Sequence, residues 1–596
     1  MSDSIDPQLL DYYQRELTWL RHAGSLFAER YPKVARRLEL SPGECPDPHV
    51  ERLLEGFALL AARLQRRLDD DYAEFSDALL EQLYPLAMRP LPSCAIVQFE
   101  PDPSKGNLDD GYPLPRDTPL FITTDKGQSI HFRTTAAVHL WPLQVDEALL
   151  LGSDEAQALT GVVQARSALR LELRCLGERQ WSTLGIETLR VHLAASPMIN
   201  AWLYDLLGAH AVKVLAGPPG SVPEPLAGLP RVVGFGGEEA LLPDEDGVHP
   251  GMRLLAEYFA FPDKFGFFDL PLAGATSDSP SLYLYIVFDR APASRLPLQA
   301  SDIALGCTPV INLFPRTSEP LRPDGTRSEY RLVADSHREN SVEIHSIRGM
   351  RASTREGVRQ IPAYYGSQHG SDQPCYWYAR RVSGMSPNRL GTDLMVSLVD
   401  TRLDPLADTR DYSLTAELLC TNRHLAQSLP AGTPLGFERP GPVAWARLRN
   451  PPSPQSLPRL DGESRWRLVS QLTLNHLSLV EGPQALDALR EILELHNLRD
   501  EASARRQIEG VLGLGCERVI AHVGEDAWRG WRNGLEVRLQ LDPQHFVGSS
   551  AVLFSGVLAQ FFSLYATANR FVRTVLVQSD KEVKTWQPQA GKPLTL

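Results

Sequence analysis

Histidine is the first side chain to test for chemistry, because its imidazole both binds metals and moves protons near neutral pH. His131 and His139 are eight residues apart, as are His337 and His345. On one extended strand that spacing is about 26 Å at ~3.3 Å per residue, too far to share an ion. Asp244-Glu245-Asp246-Gly247 looks like part of a calcium loop but lacks the remaining ligand positions and the terminal glutamate, so it reads as a solvated turn. Asp69-Asp70-Asp71 reads as the polar side of a helix. For phosphate binding, Gly591-Lys592 has neither the upstream glycine spacing nor the following Ser or Thr of a P-loop. Gly510, Gly513 and Gly515 run in the wrong order for a dinucleotide fingerprint and suit a helix terminus. Gly366-Ser367-Gln368-His369-Gly370 does not center its serine as a nucleophile elbow does. Paired acids for glycoside hydrolysis can come from distant strands, and no stretch promotes them. The linear search therefore assigns no catalytic residue, metal ligand or cofactor.

The totals point the same way. A chain of 596 residues with 43% hydrophobic and 22% charged residues has ample core for several domains. A net charge of -13 opposes a general role in coating nucleic acid, which needs a basic footprint. Seven cysteines, Cys45, Cys94, Cys175, Cys307, Cys375, Cys420 and Cys516, are spread singly, the usage of a reducing compartment. The opening MSDSIDPQLL is acidic and polar where a secretory signal is basic and then apolar. The longest apolar runs, such as residues 282–288, are strand-sized and short of the ~20 residues that cross a bilayer. A cytoplasmic protein with no direct membrane insertion is expected.

What remains to carry function is surface for packing. Residues 6–31 and 47–84 read as two helices, each opened by an Asp-Pro pair that supplies a cap and a residue suited to the first turn. In the first, Leu10, Tyr13, Leu17, Leu20, Gly24, Phe27 and Tyr31 alternate steps of three and four, the seam by which one helix packs along another. The second starts on the same rhythm with Val50, Leu53, Phe57, Leu60 and Leu64, then drifts through Leu68 and Tyr72. Its stripe is too wide for one partner helix, so more helices are expected from this chain or another.

Pro85, Pro90 and Pro92 close the helical segment. Short alternating β-like runs follow, and residues 251–270 carry the aromatic cluster Tyr258, Phe259, Phe261, Phe265, Phe267 and Phe268 around Pro262. That cluster reads as a helix and then an extended segment burying a junction. Residues 353–374 read as a surface loop and residues 441–458, with five prolines, as a linker. In the last segment, residues 466–479 read as a strand, followed by helices at 485–495 and 501–512, strands at 518–522 and 535–541, a helix at 552–565 and a strand at 571–577. With the two consecutive helices counted as one connection, that order is the β, α, β, β, α, β of a ferredoxin-like sandwich. The expected fold is a multidomain α+β chain: an N-terminal helical segment (1–92), two β-rich domains (93–270 and 271–460) and a C-terminal ferredoxin-like α/β sandwich (461–596).

Several long stretches resemble one family. They include Tyr12-Tyr13-Gln14-Arg15-Glu16-Leu17, Asp47-Pro48-His49-Val50-Glu51-Arg52-Leu53-Leu54-Glu55-Gly56-Phe57-Ala58, residues 251–270, Leu305-Gly306-Cys307-Thr308-Pro309-Val310-Ile311-Asn312-Leu313-Phe314, Leu419-Cys420-Thr421-Asn422-Arg423 and residues 553–565. The chain resembles the TssF family of type VI secretion system baseplate subunits. Pro115-Arg116-Asp117-Thr118 departs from it, with Asp117 where the turn favors glycine. The resemblance implies a non-enzymatic wedge subunit of a phage-tail-like contractile injection machine, with TssG and a second TssF copy as partners, two TssF per TssG. It also implies engagement of TssK and TssE, with the VgrG spike hub and sheath in the assembled baseplate at the inner face of the cell envelope. The helical seam, Leu10, Tyr13, Leu17, Leu20, Phe27, Tyr31, Val50, Leu53, Phe57 and Leu60, is then the candidate partner interface. The competing classes are a β-rich hydrolase acting on cell-wall polymer and a tail-like adhesin.

Overall fold

A computed structural model describes residues 7–35, 48–177, 179–244, 248–292, 297–354, 357–365, 375–384, 390–406, 412–438, 441–460, 462–472, 485–522, 531–565 and 570–590. The Asp6 and Asp47 caps, the 366–370 glycine motif and Gly591-Lys592 lie outside them. The chain divides into two compact units, residues 1–81 with 460–470, and residues 82–459 with 471–596.

The first unit is helical. Pro7–Arg30 and Pro48–Leu83 form its long helices, with a short turn of helix at Pro32–Ala35. Arg21 bridges the two long helices through its Nε, 3.1 Å from Glu51 Oε1. A third helix, Gly462–Leu472, lies in this unit through residues 462–470, where Arg465 is 2.5 Å from Asp77 with both groups buried. This corrects the strand expected from residue 466: over 466–472 the chain is helical, and residues 473–480 lie outside the described set. Arg465, Val469 and Leu472 recur at helical steps of four and three, a period that a strand reading overlooks.

The second unit is built on sheets. Six antiparallel strands close a barrel in the order Cys94–Pro101, Cys307–Ile311, Ser129–Thr134, Pro119–Thr123, Pro434–Phe437, Val443–Leu448. Ala95, Val97, Phe99, Leu120, Ile130, Phe132, Val310, Ala446 and Leu448 fill it. The segments 93–270 and 271–460 thus contribute to one barrel. The stretch read as a proline-rich linker holds its closing strand: Val443, Ala446 and Leu448 are buried in the barrel core between flanking prolines that obscure the strand signal.

Beside the barrel stand a five-stranded sheet ending on the edge strand Leu143–Leu151, and a four-stranded sheet in the order Arg231–Val232, Phe267–Pro271, Thr188–Leu193, Ile303–Ala304. Two further sheets enclose a separate core of Ile344, Met350, Val396, Leu398, Leu414 and Leu418. One of them includes Gly357–Ile361, a strand inside the stretch expected to be a loop; only Ile361 in it is buried, so it carries almost no apolar signal.

The C-terminal sheet runs Val511–His522, Trp531–Leu541, Phe571–Gln578, Lys581–Thr585, with Gln589–Ala590 also on Phe571–Gln578. Trp531–Leu541 and Phe571–Gln578 are parallel and are connected through the helix Ala551–Tyr565. Because residues 466–472 are helical, the order β, α, β, β, α, β expected of a ferredoxin-like sandwich lacks its opening strand there.

Candidate assembly interface

The residues tested first for chemistry are placed apart. His131 lies on Ser129–Thr134 and His139 on the next strand, Val138–Leu140, so they share no strand face. The His131 ring packs on Phe314, with centroids 4.9 Å apart. His345 is fully buried, with Nδ1 3.1 Å from Ser346 Oγ, while His337 sits in the short turn Ser336–Arg338. Asp244 pairs with Arg253 at 2.7 Å; residues 245–247 lie outside the described set. Asp69-Asp70-Asp71 falls within the long second helix. Gly510 follows the helix Ala502–Glu509, the terminus that its sequence suggests. Among the described residues no three His, Cys, Asp or Glu side chains gather to hold a metal.

The aromatic stretch forms the expected helix, Pro250–Ala260, and an extended segment, the strand Phe267–Pro271; between them Pro262–Phe265 is a helical turn where extended chain is expected. All six aromatic rings are buried. Within the same core Lys264 and Glu257 form a buried ion pair, and Glu257 Oε1 accepts from the Leu242 N–H at 3.0 Å.

Sequence reasoning missed a second polar junction. Asn312 and Asn422 are buried and mutually bonded: Asn312 Nδ2 donates to Asn422 Oδ1 at 2.8 Å, and the Asn422 N–H donates to Asn312 Oδ1 at 2.7 Å. Asn422 Oδ1 also accepts from the His131 N–H, and its Nδ2 donates to the carbonyls of Ser129 and Ser341. Two amides thereby tie the barrel to the chain entering the next sheet. The signal available was the Thr421-Asn422-Arg423 motif, irregular and polar at the end of an apolar strand. Asp117, which departs from the family pattern, adopts the left-handed conformation (φ 63°) that favors glycine there and pairs with Arg133 at 3.0 Å.

The helical seam is where the structure leaves apolar surface open. Leu10, Phe27 and Tyr31 are exposed, whereas Tyr13, Leu17 and Leu20 are half-buried. On the second long helix Val50 is half-buried, but Leu53, Phe57, Leu60 and Leu64 are 73, 61, 63 and 65% exposed. Ala58 and Ala62 of the same helix are 0% exposed. The helix thus covers an alanine line and turns its large apolar line outward, the reverse of what burial of apolar area favors in an isolated chain. Trp19 and Leu26, seven residues apart, add an exposed apolar line that the seam pattern did not include.

Buried charges are spent on internal pairing, and an apolar line is left open along the helices. The chain belongs to the TssF family of type VI secretion systems: the family model described as "Type VI secretion system, TssF" matches residues 5–593. It is 33% identical to type VI secretion system component TssF1 of Pseudomonas aeruginosa, over 98% of this chain and 99% of that protein. The fold is similar to a chain in the cryo-electron microscopy structure of the type VI secretion system TssK-TssF-TssG baseplate subcomplex. That match has a TM-score of 0.72 at 25% identity, covering 92% of this chain and all of the other. A chain in the type VI secretion system baseplate complex matches with a TM-score of 0.59 at 24% identity, covering 98% of this chain and all of that one.

Proposed function

We propose that this chain is a structural, non-catalytic subunit of the type VI baseplate that forms a wedge with TssG, two copies of this chain per TssG, through the helical seam. The observation that carries the interface is the outward line Leu53, Phe57, Leu60 and Leu64 opposite buried Ala58 and Ala62. Steps of four, three and four place that line on one side of a helix at the spacing of a two-helix seam. The complex named for the similar solved chain supports TssK and TssG as partners. In this reading the wedge also meets TssE, and the assembled ring surrounds the VgrG hub and supports the sheath and tube on the cytoplasmic side of the envelope. The described helices include none long and apolar enough to cross a membrane.

Burying a Leu or Phe side chain contributes roughly 1.5–3 kcal/mol. A Phe57→Asp, Leu60→Asp double variant, changed at positions already exposed, should stay folded and lose copurification with TssG. Retention of TssG at the wild-type ratio would refute this interface.

A further inference from the structure

The open apolar line of the second long helix, Pro48–Leu83, is bordered by charge of one sign, and that charge narrows what can cover it. Leu53, Phe57, Leu60 and Leu64 recur at steps of four, three and four, and the positions bordering such a line are where two packed helices match their charges. Arg52 and Arg63, about three turns apart, fall on the same border. Both are exposed, and among the described residues neither has an ion pair or a hydrogen bond.

The helix keeps its acids on the other side. From Val50 to Leu64 the acids are Glu51 and Glu55. Glu51 accepts from Arg21 Nε of the first helix at 3.1 Å, and Glu55 lies close enough to act on the same guanidinium. Contact with the first helix therefore takes up both acids of this stretch and leaves both arginines outside. A second copy of the same line does not answer that charge. Packed antiparallel, the arginine border would lie against itself; packed parallel, it would meet the opposite border, Leu54 and Ala61, which offers no acid.

We propose that this line takes a helix of a different chain, amphipathic at the same spacing of threes and fours, with Asp or Glu side chains about three turns apart that face Arg52 and Arg63. The inference deepens the wedge interface proposed above and rests on it. Buried apolar area supplies the affinity. The arginine pair selects the partner and its register, because rim charges act mainly on encounter and specificity, and each guanidinium can hold a carboxylate through two parallel bonds.

Coexpression with TssG, capture of the complex and washes of rising NaCl test it. The wild-type complex is expected to release the chain progressively between about 50 and 500 mM NaCl, as salt screens the pairs. Arg52→Glu, Arg63→Glu should be retained about tenfold less at the lowest salt, whereas Arg52→Lys, Arg63→Lys, which keeps the charge, should match the wild type. A charge-reversed chain retained at the wild-type ratio overturns the acidic flank; the apolar seam still stands if Phe57→Asp, Leu60→Asp abolishes copurification. If that apolar variant is retained too, the seam itself has failed, and this inference with it. Self-association of the chain without TssG, lost in Phe57→Asp, Leu60→Asp, would identify a second copy as the occupant and overturn the proposal.

Discussion

Buried charges among the described residues include tight ion pairs, and these govern single-site stability. Lys264 and Glu257 are both buried, so removing one partner strands the other away from water. Lys264→Met is expected to lower unfolding stability by about 3–5 kcal/mol, and adding Glu257→Gln should recover much of it, since the neutral amide still accepts from Leu242. Chemical denaturation of the two variants measures the difference. Three buried histidines set an acid limit. His192 is pushed down to about 3, His496 to about 4, and His345 well below its ordinary value, each mainly by burial. One nitrogen of each ring has no partner among the described residues, so a proton added there finds no acceptor. Unfolded histidines take up protons as pH falls through about 6.5 while the folded rings stay neutral, so the stability present above that pH is lost on acidification. Between pH 7 and 5 this amounts to roughly 2 kcal/mol per histidine. Asp205, pushed up to about 6 by burial, opposes the trend with about 1 kcal/mol. Urea midpoints should therefore be clearly lower at pH 5 than at pH 7; equal midpoints would count against neutral buried rings.

At the scale of elements, the amide junction of Asn312 and Asn422 joins the barrel strand Ser129–Thr134 to the chain near Ser341. Asn422→Ala leaves several buried donors and acceptors without partners at roughly 1–3 kcal/mol each, so a loss of at least about 3 kcal/mol is expected. A loss below 1 kcal/mol would show that water or neighbors replace the amide. This junction also shows where sequence reading reaches its limit. Period and proline placement alone reveal both long N-terminal helices, the aromatic helix and strand on either side of Pro262, and the closing helix Ala551–Tyr565. They do not reveal that Val443–Leu448 closes a barrel, because its partners Cys94–Pro101 and Pro434–Phe437 are recognized only through pairing across hundreds of residues or a tight turn. Gly462–Leu472 is short and mostly polar, so its helical period is weak against its β-like composition. Gly357–Ile361 is a strand by hydrogen bonding to its neighbor rather than by burial, and composition does not encode that.

For the whole molecule, the seam residues were legible as a repeat. Which of them face outward was not, because the heptad spacing is the same whether the line packs internally or waits for a partner. On the second long helix the alanines are covered and Leu53, Phe57, Leu60 and Leu64 are open. On the first helix Tyr13, Leu17 and Leu20 are half-buried while Leu10, Phe27 and Tyr31 are exposed. Under the proposed function, that open face is the one packed against TssG. The most direct test is maleimide labeling of a Leu60→Cys variant, alone and after assembly with TssG. The account predicts rapid labeling of the isolated chain and at least tenfold slower labeling in the complex. Equal rates in the two states would contradict it.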